Sequence, residues 1–192
     1  MKKFLLAMTL MAALCACTQK QNALVVYFSL SGPTYTSDGI VQLEKGNTQR
    51  FAEIIGEATG AELFRIERDT PYPDDFEAVC AVSEQELKDG IRPALKADID
   101  TKPYDVIYVG WPCWCDTMPM CVLAFLESHN LSGKTIVPFT THEGSGFGNG
   151  LEDLKKACPG ATIAEGMELP GHEVKDARDR ILAWLAQTAK AE

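Results

Sequence analysis

Along the chain, short unbroken apolar runs alternate with stretches whose apolar residues recur at helical spacing. Ala23 to Phe28 (ALVVYF) is continuous, β-branched and aromatic, the pattern of a strand buried on both faces. Phe51, Ile54, Ile55 and Ala58 then fall at i, i+3, i+4 and i+7, so Asn47 to Thr59 presents one apolar helical face, with Gly60 as its stop. Glu62 to Ile66 (ELFRI) is a second strand. The turn-rich DTPYPD of Asp69 to Asp74 follows, and Asp74 or Asp75 is placed to cap a helix running to about Lys88, ahead of Gly90. Tyr104 to Gly110 (YDVIYVG) is a third strand, and Pro119 suits the first turn of a helix through Ser128. Thr135 to Thr140 (TIVPFT) is a fourth strand, although Pro138 is awkward in a central one because it removes a ladder donor. Asn149 to Ala157 is helical, Ala161 to Ala164 is a short fifth strand, and Val174, Ala177, Ile181 and Leu185 mark a C-terminal amphipathic helix.

Strands and helices in five-fold alternation predict an α/β fold, a parallel sheet with helices on both faces. Ligands of such sheets sit at the carboxyl ends of the strands, near the point where the strand order reverses. The apolar fraction of 46% is that of an ordinary globular core. The 192 residues make one domain once a targeting segment is set aside, with the folded part at 23–188.

The first 22 residues follow another rule. Lys2 and Lys3 open a positive start, and Phe4 to Ala16 (FLLAMTLMAALCA) is apolar, too short to cross a bilayer as a helix but suited to a signal peptide. Leu14-Cys15-Ala16-Cys17 resembles a bacterial lipobox, with Leu three positions and a small residue one position before the modified cysteine; Cys17 fits, and Cys15 fits poorly because Leu14 would take the small-residue position. The expectation is a signal peptide over 1–16, lipidation of Cys17, a polar tether over 17–22, and a lipoprotein held at a membrane of the cell envelope by its acyl chains. A plain secretory signal is the alternative. Cys80, Cys113, Cys115, Cys121 and Cys158 remain, an odd number that cannot all pair within one chain. Sequence leaves open whether Cys80 and Cys158 pair, and Cys121 reads as a packed core thiol.

The formal charge of −9 argues against a nucleic-acid partner, which calls for clustered Lys and Arg. It suits docking on a basic protein patch.

Three loops after strand ends carry the candidate chemistry. The first leaves strand one as Ser29-Leu30-Ser31-Gly32 and re-enters a helix at Gly46-Asn47-Thr48. Hydroxyls and amides at a helix N-terminus make an anion site, so Ser29, Ser31, Asn47 and Thr48 are candidate phosphate ligands; Asn47 is equally a candidate N-cap. The second, Trp111 to Asp116 (WPCWCD), offers rings for stacking on a flat ligand, or two tryptophans that simply pack beneath it. The third, Thr141 to Gly148 (THEGSGFG), has alternating glycines that allow close backbone approach, or mere flexibility.

Taken together, Trp111-Pro112 with Trp114, Met118-Pro119-Met120, Phe125-Leu126-Glu127-Ser128, Ser132-Gly133-Lys134-Thr135 and Thr141 to Gly146 resemble one family of bacterial flavodoxin-like proteins. Pro71-Tyr72-Pro73, Arg92-Pro93 and Pro159-Gly160-Ala161-Thr162 also match, and the similarity spans roughly Leu24 to Leu185. The resemblance implies a flavodoxin-like, doubly wound five-stranded parallel sheet of order 2-1-3-4-5, with FMN at the first, third and fourth loops. It implies cofactor contacts from Ser29, Ser31, Gly32, Asn47 and Thr48, from Pro112, Cys113, Trp114 and Cys115, and from Thr141, His142, Glu143, Gly144, Ser145 and Gly146. Trp114 is expected to stack on the isoalloxazine.

This chain departs from the family pattern twice. Its Ser-x-Ser-Gly-Asn-Thr phosphate motif is split by about fourteen residues, Pro33 to Gly46, which would form a flap, a docking loop or an obstruction. Trp114-Cys115-Asp116 stands where the family usually has Trp-Trp-Gly, exchanging a ring for a thiol and adding a carboxylate. The expected function is electron transfer to a redox protein not identified by the sequence. Three alternatives stand beside it: a flavin-dependent reductase of a small substrate such as a quinone, a flavin-free lipid-anchored binding module, and a thiol protein using Cys113 and Cys115.

Overall fold

The computed structural model describes residues 22–36 and 39–188; the expected signal peptide, Cys17 and most of the expected tether lie outside these residues. The first strand, β1, is Ala23–Tyr27. The stretch that splits the phosphate motif is an antiparallel hairpin of β2, Gly32–Thr36, and β3, Gly39–Leu43. Helix α1, Asn47–Thr59, and β4, Glu62–Arg65, complete the first crossover. Then come α2, Phe76–Asp89, β5, Val106–Pro112, α3, Met120–Ser128, and β6, Thr135–His142. The chain ends with α4, Gly150–Ala157, β7, Thr162–Ile163, β8, Met167–Pro170, a 3-10 helix Gly171–Asp176, and α5, Arg178–Thr188.

The main sheet runs β4-β1-β5-β6-β7, all parallel, with β8 also beside β6. Counting only its own strands, that is the expected order 2-1-3-4-5. Alternation along β1 sorts the core into two layers. Leu24, Val26 and Phe28 meet Val79 of α2, Val122 and Phe125 of α3 and Leu154 of α4 on one side. Val25 and Tyr27 meet Phe51 and Ile55 of α1 and Ile181 and Leu185 of α5 on the other. Each fully buried side chain of this size contributes about 1.5–3 kcal/mol of transfer free energy, which is why unbroken apolar runs mark the central strands.

The structure corrects the fifth strand and the last helix. The fifth position is filled by two pieces, β7 and β8, pairing with the start and the end of β6. This disposes of the Pro138 problem. The Ala164 amide donates to Ile136 O at 2.9 Å, so alternate β6 residues face this edge, Pro138 among them. Pro138 lies opposite the break between β7 and β8, where no ladder bond is asked of it. Gly166 crosses there so tightly that a Cβ would come within 2.6 Å of Pro138 O. The C-terminal apolar face is likewise divided: Val174 lies in the 3-10 helix and α5 begins only after Ala177.

Candidate functional site

The strand order reverses between β1 and β5, and there a cavity of about 390 Å³ opens at the carboxyl ends of the sheet, within the usual range for small-ligand sites. Residues after β1, at the ends of β5 and β6, on the hairpin and on α2 line it.

The two halves of the split motif meet despite the hairpin. Gly32 pairs with Leu43 across the hairpin base, so the inserted residues leave and return side by side. Gly46 then packs so closely on the exit of β1 that a Cβ would sit 2.2 Å from Ser29 Oγ and 2.4 Å from Leu30 O. Gly46 is the N-cap of α1 and Asn47 its first residue, which corrects the reading of Asn47 as a cap. The Ser29 hydroxyl accepts from the Gln49 amide at 3.1 Å, tying β1 to the first turn of α1. Thr48 and Thr141 share a buried hydroxyl contact at 2.8 Å, tying α1 to β6. Neither Ser29 nor Thr48 lines the cavity; Asn47 does, and the first turn of α1 carries no acidic side chain. Ser31 is exposed and Gly32, at φ +102°, starts the hairpin, so neither faces the cavity. Pro33, Thr34 and Tyr35 stand there instead.

The second loop starts later than expected, because β5 continues through Pro112. Trp111 is fully buried, its ring 5.7 Å from Phe147, and belongs to the core. Trp114 lines the cavity and is held edge-on by Phe28 at 5.4 Å and Tyr72 at 5.3 Å. Tyr72 is itself braced: its hydroxyl donates to Glu86 Oε2 at 2.9 Å, Arg68 pairs with Glu86 Oε1 at 2.7 Å, and the Arg68 guanidinium lies 4.1 Å over the tyrosine ring. Burial, then the neighbouring Cys121 and Glu86, raise the Tyr72 phenol well above its ordinary range. Sequence reasoning assigned no role to this brace; its only visible signal is Pro71-Tyr72-Pro73.

Cys115 and Asp116 are the two central residues of a tight turn closed by Trp114 N donating to Thr117 O and Thr117 N to Trp114 O. Both have positive φ, +50° and +61°, the type I′ geometry that glycine and asparagine favour. Glycine in the family pattern therefore has a backbone reason. Asn149 holds Asp116 twice: its backbone amide donates to Asp116 O at 2.7 Å and its side-chain amide to Asp116 Oδ2 at 3.3 Å. The two thiols of the Cys-x-Cys pair have different partners: Cys113 bonds Ser145, whereas Cys115 Sγ lies 3.6 Å from Ser83 Oγ on α2. Burial foremost raises the Cys113 thiol, opposed by the Ser145 bond.

In the third loop, Thr141 and His142 are the last residues of β6, not loop residues. His142 Nδ1 accepts from the Gly144 amide at 2.9 Å, so the neutral ring carries its proton on Nε2. That nitrogen is buried without a hydrogen-bond partner, with Glu168 Oε2 4.0 Å away. Glu143 lines the cavity and is held by His172, which donates its amide at 3.3 Å and faces it with Nδ1 at 2.9 Å. Gly171 lies between: a Cβ there would meet Asn47 Nδ2 at 2.5 Å and Glu143 Oε1 at 2.8 Å. Gly144, Ser145 and Gly146 do not line the cavity. From α2, Phe76, Val79, Cys80, Ser83 and Glu84 form a wall that sequence reasoning missed, because a helix face turned to a ligand and one turned to the core show the same periodicity.

These groups fit FMN in kind. Gly171 leaves room where a Cβ would fill the cradle between Asn47 and Glu143, Asn47 opens a helix N-terminus, Trp114 offers an indole, and His142 holds a donor that the protein leaves unmatched.

A doubly wound parallel sheet of this order with a ligand-sized cleft at its reversal defines a flavodoxin-like domain. Residues 22–188 match the family described as Flavodoxin, and the chain belongs to that family. It is similar to a crystal structure from Bacteroides eggerthii provisionally designated a flavoprotein, at 34% identity over 88% of this chain and 98% of that one, with a TM-score of 0.69. A second such structure, from Bacteroides uniformis, is 27% identical over 86% and 98%, with a TM-score of 0.68. A flavoprotein from Lactobacillus acidophilus, crystallised in complex with FMN, shares the fold at 16% identity over 81% and 97%, with a TM-score of 0.60. No curated protein matches the chain.

Proposed function

We propose that the cavity holds FMN and that the protein carries electrons between redox partners at the cell envelope, anchored by a lipid on Cys17. One observation carries the reading: a helix N-terminus, an edge-braced indole and an unmatched buried donor converge on a single cavity at the reversal of a flavodoxin sheet. FMN is the group in the L. acidophilus structure of the same fold. When bound, it supplies the redox chemistry. The chain's own residues bind and orient. The α1 N-terminus and Asn47 receive the phosphate, Trp114 covers the ring, and His142 Nε2–H donates to a polar edge. The hairpin residues Pro33 and Tyr35 and the α2 wall keep water from that ring.

Titration of the purified protein with FMN tests the binding. Quenching of flavin fluorescence at one equivalent is expected, and Trp114→Ala weakens it by about 1 kcal/mol or more, the scale of an aromatic stacking contact. Unquenched FMN sinks the reading. Anaerobic reduction of the complex in two separate one-electron steps supports a carrier, whereas a single two-electron step favours a reductase. Cys17→Ala is expected to move the protein from the membrane fraction to the soluble one.

A further inference from the structure

Three of the described cysteines, Cys80, Cys113 and Cys115, line the same cavity from two different elements. Cys113 is engaged by Ser145, on the β6 side. Cys115 is exposed at the turn and reaches across to α2, where its sulfur lies 3.6 Å from Ser83 Oγ. Cys80 precedes Ser83 by three residues on that helix, so their Cβ atoms are neighbours about 5–6 Å apart on one face. The contact at Ser83 therefore brings the Cys115 sulfur to the flank of α2 that carries Cys80. The turn holding Cys115 has positive φ at both central residues, a conformation that L side chains rarely adopt.

We propose that Cys80 and Cys115 form a reversible disulfide that ties α2 to the turn after β5 at the mouth of the cavity, in exchange with a low-molecular-weight or protein disulfide. The exposed Cys115 thiolate attacks one sulfur of the incoming disulfide and releases the first thiolate. Cys80 then attacks the Cys115 sulfur and releases the second. Two protein thiols lose two protons and two electrons, one S–S bond forms in the protein, and the incoming disulfide leaves as two thiols. Cys80 suits the second step. Burial, with Glu77, Cys115 and Glu84 behind it, raises its thiol, so it does not compete for the first attack. Cys113, with Ser145 beside it, is the competing partner that the Cys113–Cys115 alternative would use. Cys158 is sealed in the core and Cys80 stands at the cavity, so the two are not partners of one bridge.

The test uses the full chain, equilibrated with glutathione buffers of graded poise, with and without FMN, then blocked with an alkylating agent and mapped by peptide mass. The expected product is a Cys80–Cys115 crosslinked peptide that disappears under reducing poise, with Cys113 alkylated throughout. Cys113→Ser retains the crosslink, and Cys115→Ser leaves Cys80 alkylated. A Cys113–Cys115 crosslink, glutathione adducts on Cys115 alone, or uncrosslinked thiols at every poise would each overturn the proposal. The crosslink is read by mass whether or not FMN binds, so its failure is separate from failure of the flavin reading.

Discussion

At the scale of single residues, Asp116 joins two effects that substitution can separate. It occupies a left-handed turn position at φ +61°, and it adds a carboxylate beside the cavity loop. Asparagine tolerates the same backbone region, so Asp116→Asn removes the charge and keeps the turn. Glycine removes both charge and strain. In the flavin-loaded protein both substitutions are expected to raise the midpoint potential by a similar amount, since a nearby anion disfavours the anionic reduced ring. The rise shrinks as salt screens the exposed charge. Only Asp116→Gly is expected to gain stability as well, by less than about 1 kcal/mol, because relief of the left-handed conformation is offset by the entropy glycine gains in the unfolded chain. Spectroelectrochemistry at two ionic strengths, with a denaturant titration of each variant, checks both halves. Equal potentials in Asp116→Asn and the parent place the carboxylate outside the range of the ring.

At the scale of elements, the hairpin is an addition to the fold rather than a part of it. Its two strands pair with each other and with no strand of the main sheet, and the base pair Gly32–Leu43 keeps entry and exit together. Excising residues 33–46 joins Gly32 directly to Asn47 and restores the uninterrupted phosphate motif. The shortened chain is expected to fold with the helical bands of its far-ultraviolet dichroism retained and to release FMN faster, because Pro33, Thr34 and Tyr35 no longer wall the cavity. Stopped-flow dissociation measures it; an unchanged off-rate denies the hairpin any part in retention. The hairpin also shows where sequence reading stops. Its boundaries were legible, since the motif resumes cleanly at Asn47, but its structure was not: β2 holds Gly, Pro and Thr, without the apolar alternation of a half-buried strand. The central strands were legible because burial on both faces leaves unbroken apolar runs. The fifth position misled because its break, Ala164 to Gly166, is set by tertiary pairing with β6 and the Pro138 gap, which leave no local periodicity. Of the site, Asn47 at the start of α1 and the strand-end residues Trp114, Thr141, His142 and Glu143 could be found from their loops. The Tyr72–Glu86–Arg68 brace could not, as its partners meet only through the packing of α2.

At the scale of the whole molecule, the thiols buried on the α2–α4 side of the sheet set an alkaline limit on stability. Burial pushes Cys121 up to about 12 and Cys158 up to about 11, both from an ordinary value of 9.0, and it raises Tyr72 too. The native state therefore keeps these protons at a pH where the unfolded chain has lost them. Below about pH 9 both states are protonated and the groups add no pH dependence. Between that point and the native values, the unfolded state binds fewer protons, so stability falls as pH rises. Each group contributes at most about 1.4 kcal/mol per pH unit, and the two thiols together approach about 2–3. Against a typical net stability of about 5–15 kcal/mol, that is enough to unfold the domain within a few pH units of the onset. Thermal melts under reducing conditions should show a Tm level to about pH 9 and falling steeply above it. Cys158→Ala should make the fall shallower by roughly half of the thiol share, at the cost of a small cavity that lowers Tm at every pH alike. The change of slope distinguishes linkage from packing, because lost packing alone shifts the curve without tilting it. A Tm that stays level to pH 10.5 in the parent would mean that these thiols ionise in the native state as readily as in the unfolded one, and that the core around Cys121 and Cys158 admits water.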